Sequence, residues 1–361
     1  MVRVIVAGGG GGDAVGAAVI DRALYGTDDP AVVLTYAWDR LLVDPVPGPR
    51  GAGGFTGLRR LTSSVYAVPA EAVPTPPGGS TLPRLAGELA HTFALIDPHR
   101  GVAGMVRQVG ELIGHLAPTS VDLLDVGGDI LSRGDEPTLQ SPLGDALSLA
   151  VWAQAGVPVR LLVAGPGLDG ELPVEVLRER LGAVVHRLGT EDVALIGGVM
   201  EWHPSEATGM LMATARGVRG LCEVRDAGLA VPLTDEGPVV HEADLEAAFR
   251  RNRLAQAIAG TTSLAEAERH CRAICGYSEI DYEREKAAGL RDVRDAAPFD
   301  PGAVLQGLTR FAAKARGRGV THTTFRHLTE VLGLDGSHRT ALRGLLIGSH
   351  PDQYDAPLWR L

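Results

Sequence analysis

Lysine is almost missing from this chain: Lys286 and Lys314 are the only two. The first 285 residues therefore hold neither a P-loop lysine nor a Schiff-base lysine, which removes two common chemistries from that segment. Cysteine is scarce too. Cys222, Cys271 and Cys275 form neither a disulfide framework nor a zinc-ligand pattern, and the last two, four apart on an expected helix, share a face that suits a core. There is no basic excess; the formal net charge of -10, with no basic patch, argues against general affinity for nucleic acid. No G-x-S-x-G elbow follows a strand and no zinc-protease helix is present. No secretory signal, membrane-crossing run or lipidation motif is visible, so the expected setting is the reduced cytoplasm, without a membrane partner.

What the 361 residues do contain is a repeated strand-to-glycine pattern. The apolar runs Val2 to Ala7, Val32 to Ala37, Val121 to Val126, Val159 to Ala164 and Val193 to Ile196 are short, rich in β-branched residues and separated by helical patterns. Helices are expected at Ala14 to Leu24, Leu82 to Leu95, Val102 to Leu116, Pro142 to Ala155 and Pro173 to Leu181. This alternation predicts an α/β fold of Rossmann-like layout: a mostly parallel sheet, helices on both faces, and ligands at the carboxyl ends of the strands.

Between about Asp44 and Pro83 the pattern dissolves into proline, glycine and threonine, which reads as a long loop covering a site. After Val199 come an expected helix at Ser205 to Arg216, short strands at Leu221 to Val224 and Leu229 to Leu233 around Asp226-Ala227-Gly228, and one long helix from Asp244 to Ala259. The expected division is a Rossmann-like domain over 1–285 and a C-terminal helical extension over 286–361. A charged connector, Arg291-Asp292-Val293-Arg294-Asp295, leads into helices at Pro301 to Arg316 and Thr323 to Leu332.

Three segments carry candidate chemistry. Gly8 to Gly12, between the first strand and the first helix, offers amides that no Cβ obstructs. Gly9, Gly11 and Ala14 meet the dinucleotide spacing in its alanine form, and Asp39 stands just past the next strand, a little late for the ribose-binding acid. Asp13, however, would repel a pyrophosphate and better suits a hydroxyl, an amine or a metal-bridged phosphate. The second segment runs Asp125-Val126-Gly127-Gly128-Asp129, through Asp135 and Glu136, to Ser141-Pro142-Leu143-Gly144-Asp145. Ser141 is placed to cap the helix that Pro142 begins, and the carboxylates suit Mg²⁺ or acid and base work, with Asp145 alternatively a first-turn dipole partner. In the third, Trp202 to Thr208, His203 is the candidate proton carrier because imidazole titrates nearest neutrality, and Glu206 its partner.

Gly8 to Ala14, Asp125 to Asp129 with Ser141 to Asp145, and Ser205 to Thr208 with Ala213 to Gly217 together resemble the domain of unknown function 1152 (DUF1152) family over roughly residues 1 to 245. The resemblance implies an α/β fold and a shared pocket, and no established reaction. The expectation is an enzyme acting by non-redox chemistry on a polar, nucleotide-like or phosphorylated small molecule. Gly9, Gly10, Gly11, Gly12, Asp13, Gly127, Gly128 and Ser141 would bind the ligand, and Asp129, His203 and Glu206 would be catalytic. Mg²⁺ or a nucleotide is the candidate cofactor. The rival expectations are an NAD(P)-dependent oxidoreductase and a noncatalytic sensor or assembly subunit. A homodimer is expected only as a base rate.

Overall fold

The computed structural model describes residues 2–26, 28–225, 228–291 and 299–361. Its centre is a nine-stranded sheet in which five strands run parallel, in the spatial order Arg160–Ala164, Ser120–Val126, Arg3–Ala7, Val32–Thr35, Thr92–Leu95. Antiparallel strands flank both ends: Val239–Ala243 and Val184–Arg187 beside Arg160–Ala164, and Tyr66–Ala67 and Arg59–Arg60 beside Thr92–Leu95. Chain order along the parallel strands reverses between Arg3–Ala7 and Ser120–Val126, so the loops leaving those two strands diverge and open a crevice.

The strands bury both faces, which is why they read as unbroken apolar runs. Ile5, Val33, Phe93, Leu124 and Leu162 join the helices Asp13–Tyr25 and Glu206–Ala215 on one side. Val4, Val6, Leu34, Leu123 and Leu161 face Gly101–Leu116, Pro142–Trp152 and Leu264–Cys275 on the other. Cys271 is buried in that second core and all three cysteines are free, as their spacing predicts.

Several boundaries differ from the sequence reading. The expected helix over Leu82 to Leu95 stops at Glu88, and Thr92–Leu95 is the fifth parallel strand, registered on Val32–Thr35. Short apolar runs do not declare their own period, and sheet pairing decided this one. Val193 to Ile196, expected as a strand, is a turn of 3₁₀ helix at Ala194–Ile196 that buries Val193 and Ile196, three apart, in the core. The sheet position beside Arg160–Ala164 is filled instead by the antiparallel Val239–Ala243. The long helix expected from Asp244 breaks at Asn252, whose side chain accepts from Ala255 N at 2.8 Å and starts a second helix, Arg253–Ile258.

The 44–83 segment folds as short antiparallel pairs, Phe55–Thr56 with Val73–Pro74 and Arg59–Arg60 with Tyr66–Ala67, along the sheet's edge. None of its residues lines the cleft described below, although Gly48 N donates to the cleft residue Glu283 at 2.7 Å. Of the charged connector, only Arg291, which ends the helix Glu279–Arg291, lies within the described residues.

The C-terminal region is helical at Pro301–Gly317, Phe325–Val331 and Arg339–Ser349, yet it also contributes strands. His322–Thr323, Leu358–Arg360 and Tyr354–Asp355 extend Leu229–Leu233 and Gly220–Val224 into a second, five-stranded sheet. Phe311, Phe325, Leu328, Leu342, Leu346 and Trp359 form a separate core beneath it. No helix among the described residues is long and apolar enough to cross a membrane.

Candidate functional site

Gly8 is held against the sheet by its amide, which donates to Leu124 O at 2.7 Å. The next amide, Gly9 N, donates to Asp13 Oδ2 at 2.7 Å, so the loop folds back on its own acid. The Gly10, Gly11 and Gly12 amides donate to no acceptor among the described residues and line a cleft. Packing requires glycine at position 12, where a Cβ would stand 1.8 Å from Ser205 Oγ, and is tight at Gly10, where one would stand 3.1 Å from the Trp38 carbonyl. Thr208 Oγ1 donates to Gly12 O at 3.1 Å, tying the glycine loop to the 203–208 turn.

The cleft encloses about 1020 Å³, part of it open solvent. Gly9 to Asp13, Asp129, Ser141, His203 and Glu206 all line it, so the three segments chosen from sequence converge. Gly127 and Gly128 lie just outside, as the turn that presents Asp129; their φ angles of +126° and +111° suit glycine alone. A Cβ on Gly127 would stand 2.2 Å from an Asp169 oxygen.

Carboxylates crowd this space. Oxygens of Asp125, Asp129 and Asp145, all three buried, lie within 4.8 Å of one another. Asp125 Oδ2 and Asp145 Oδ1 are buried with no hydrogen-bond partner among the described residues. Burial first, and then repulsion from neighbouring carboxylates, pushes all three well above the usual range: Asp13 and Asp169 act on Asp125, Asp145 and Glu171 on Asp129, and Asp125 and Asp13 on Asp145. Burial likewise raises Asp13 and Asp169 to about 7, against one backbone amide hydrogen bond at Asp13, from Gly9, and two at Asp169, from Glu171 and Asp129. Glu279 rises to about 8 for the same reason, although it accepts Leu143 N at 2.9 Å.

Ser141 does not cap its helix. Its hydroxyl donates to Glu171 Oε1 at 2.9 Å, and the helix start is met by Glu279 instead, because a carboxylate satisfies the exposed amides more strongly than a hydroxyl. Glu171 also takes Arg225 Nη2 at 2.8 Å. Asp39 accepts from Thr81 N at 3.1 Å and Thr81 Oγ1 at 2.7 Å, so its carboxylate is spent on the 82–88 helix.

His203 departs most from its sequence reading. It is 3% exposed, and burial, with Arg339 nearby, pushes its pKa down to about 3. The imidazole is neutral at physiological pH and does not titrate near 7. Its Nδ1 accepts Ser205 N at 3.3 Å, while Nε2 has no partner among the described residues. Glu206 does not orient it: Glu206 takes Thr324 Oγ1, Arg225 N at 3.3 Å and Arg326 Nη1 at 3.3 Å.

The reading from sequence passed over Asp169, Glu171 and Glu279 and the cationic wall of Arg40, Arg225 and Arg326. Asp169 had a signal, since Ala164-Gly165-Pro166-Gly167-Leu168-Asp169 repeats the strand, glycine and acid order of the other two segments. Glu279 and Arg326 come from helices remote in sequence and had none. Arg225 and Arg326 are paired, whereas the Arg40 side chain, open to the cleft, forms no hydrogen bond or ion pair among the described residues.

Fold and site together define an α/β protein with a carboxylate-lined cleft at the carboxyl ends of its parallel strands. The chain belongs to the protein family of unknown function DUF1152, which matches residues 4–287. Every residue of the carboxylate cluster lies inside that span, whereas Arg326 lies beyond it. Neither a curated protein nor a solved structure matches the chain.

Proposed function

We propose that the cleft is the active centre of an enzyme that holds a divalent cation on Asp125, Asp129 and Asp145. The substrate in this reading is a polar small molecule bearing an anionic, phosphate-like group, and the chemistry is non-redox. The observation that carries it is the trio of buried carboxylates with oxygens within 4.8 Å of one another. Oxygen ligands of one Mg²⁺ or Ca²⁺ stand at most about 4–5 Å apart, twice the metal–oxygen distance. Unpartnered buried carboxylates are costly without a cation, and a cation removes that cost.

The sheet order supports the reading. Five parallel strands whose chain order reverses beside the first one resemble a Rossmann-like sheet, and ligands of such sheets sit at that reversal. Both glycine turns flank it. The unengaged amides of Gly10 to Gly12 and the unpaired Arg40 would receive the anionic group, and a bound cation would polarise its oxygen or activate water. Asp13 and Asp169, raised to about 7, are matched to proton transfer near neutrality.

Calorimetric titration of metal-free protein with Mg²⁺ and Mn²⁺, followed by a panel of nucleotides and sugar phosphates with and without cation, tests this. Saturable cation binding that D145N abolishes, and phosphate-ester binding strengthened by the cation, is the expected result. Cation binding that is absent, or unchanged in D145N, would sink the reading.

A further inference from the structure

Behind the turn at 203–206 lies a second, partly open cavity whose free space of about 350 Å³ includes solvent, walled on its far side by the helices Phe325–Val331 and Arg339–Ser349. His203, Pro204, Ser205, Glu206 and Arg326 line both cavities, so this turn is the partition between them. The first cavity is crowded with carboxylates; the second gathers Arg326, Arg339 and Arg343.

Their counter-charges do not balance. Arg326 is paired with Glu206 at 3.3 Å and approaches Glu330 at 3.6 Å. Arg343 donates to Tyr354 Oη, and its guanidinium lies over the Phe325 and Tyr354 rings at 4.8 and 4.7 Å. Arg339 has nothing: its Nε is buried without a partner, and its guanidinium forms no hydrogen bond or ion pair among the described residues. Burial and its two arginine neighbours pull its pKa down to about 10, with only Glu206 opposing. The remaining acid on the cavity, Glu201, is exposed at its rim.

A second donor waits beside it. His203 accepts a hydrogen bond at Nδ1, so its neutral ring carries its proton on Nε2, which is buried and unpartnered. The walls therefore offer donors to spare, and the oxygens of Glu206 are already taken by Thr324, Arg225 and Arg326. Guanidinium forks match oxyanions, and two forks approaching from separate helical turns fit the several oxygens of a tetrahedral anion better than a flat carboxylate.

We propose that this second cavity binds a compact oxyanion of the orthophosphate or phosphomonoester class, held by Arg339, Arg343 and the Nε2–H of His203. The site joins Arg339 and Arg343, beyond the family-matched residues, to the 203–206 turn within them. It does not depend on a cation in the first cleft.

The test is equilibrium dialysis of the full chain against orthophosphate in phosphate-free buffer, in parallel with R339M, R343K, R40M and D145N. Saturable binding to the wild type, weakened at least about tenfold in R339M and less in R343K but retained in R40M and D145N, is expected, because one charge-assisted hydrogen bond is worth that factor. Competition by phenyl phosphate identifies an esterified group as the occupant, and its exclusion identifies the free anion. No saturable binding, or equal affinity in R339M and wild type, overturns the proposal. So does loss confined to R40M, which would place the phosphate in the first cleft. Should R339M fail to fold, unchanged affinity in R343K decides against it.

Discussion

On one side of the 203–206 turn, Asp125, Asp129 and Asp145 lie close together with no ion pair to a cation among the described residues. On the other, Arg339 has no ion pair among the described residues and its Nε is buried without a hydrogen bond. Both arrangements oppose folding, since like charges and desolvated ions raise the free energy of the native state. The two sides do not neutralise each other, because the acid on the partition, Glu206, is already paired with Arg326. The difference is one that the two proposed occupants would relieve: a cation at the carboxylate trio of the first cavity and an oxyanion at the arginines of the second.

The largest effect that would break this comparison is on cation affinity. D125N, D129N and D145N should each weaken divalent-cation binding by more than the about hundredfold that outer partners of a metal site cost, measured by calorimetry. Affinity within about twofold of wild type would mean that the trio ligates nothing.

Next comes the linkage of stability to pH. Asp13 and Asp169 rise from 3.8 to about 7 and Glu279 from 4.5 to about 8, so the folded state holds protons that the unfolded chain has already lost. Stability of the metal-free protein should therefore fall as pH rises from about 4 to about 8. Added Mg²⁺ should flatten that fall, because it favours the ionised carboxylates. A melting temperature that climbs over this window without cation would contradict the sign.

Gly12→Ala joins the two regions, since its new Cβ would meet Ser205 on the partition. A destabilisation of about 1–3 kcal/mol is expected from overpacking, read by urea unfolding. Phosphate affinity at the second cavity should fall with it if the partition positions His203.

Ser141→Ala should cost only about 1 kcal/mol. It removes one hydrogen bond to Glu171, which keeps Gln140 N and Arg225. Cation affinity in this variant should stay at the wild-type value.

Much of the fold was legible. Four of the five runs first read as parallel strands are parallel strands, because a strand buried on both faces must be apolar throughout. Thr92–Leu95 and Val193 to Ile196 exchanged roles, since four residues hold no period long enough to separate strand from helix or turn. At the site, glycine and acid following a strand identified Asp13 and Asp129, and the same pattern at Asp169 went unused. Electrostatic roles were not legible. His203 looks like a titrating base only until burial is known, and Ser141 looks like a cap only until Glu279, far along the chain, is seen at that helix start.

Local chemistry by itself determined the short apolar strands, the naked turns after them and the acids that those turns present, because backbone freedom and side-chain period act over a few residues. Tertiary structure alone decided which acids meet, which of them are paired, and that a turn would carry a carboxylate cleft on one face and arginines on the other. Charge energy depends on distance and solvent access, and both exist only once remote segments have packed.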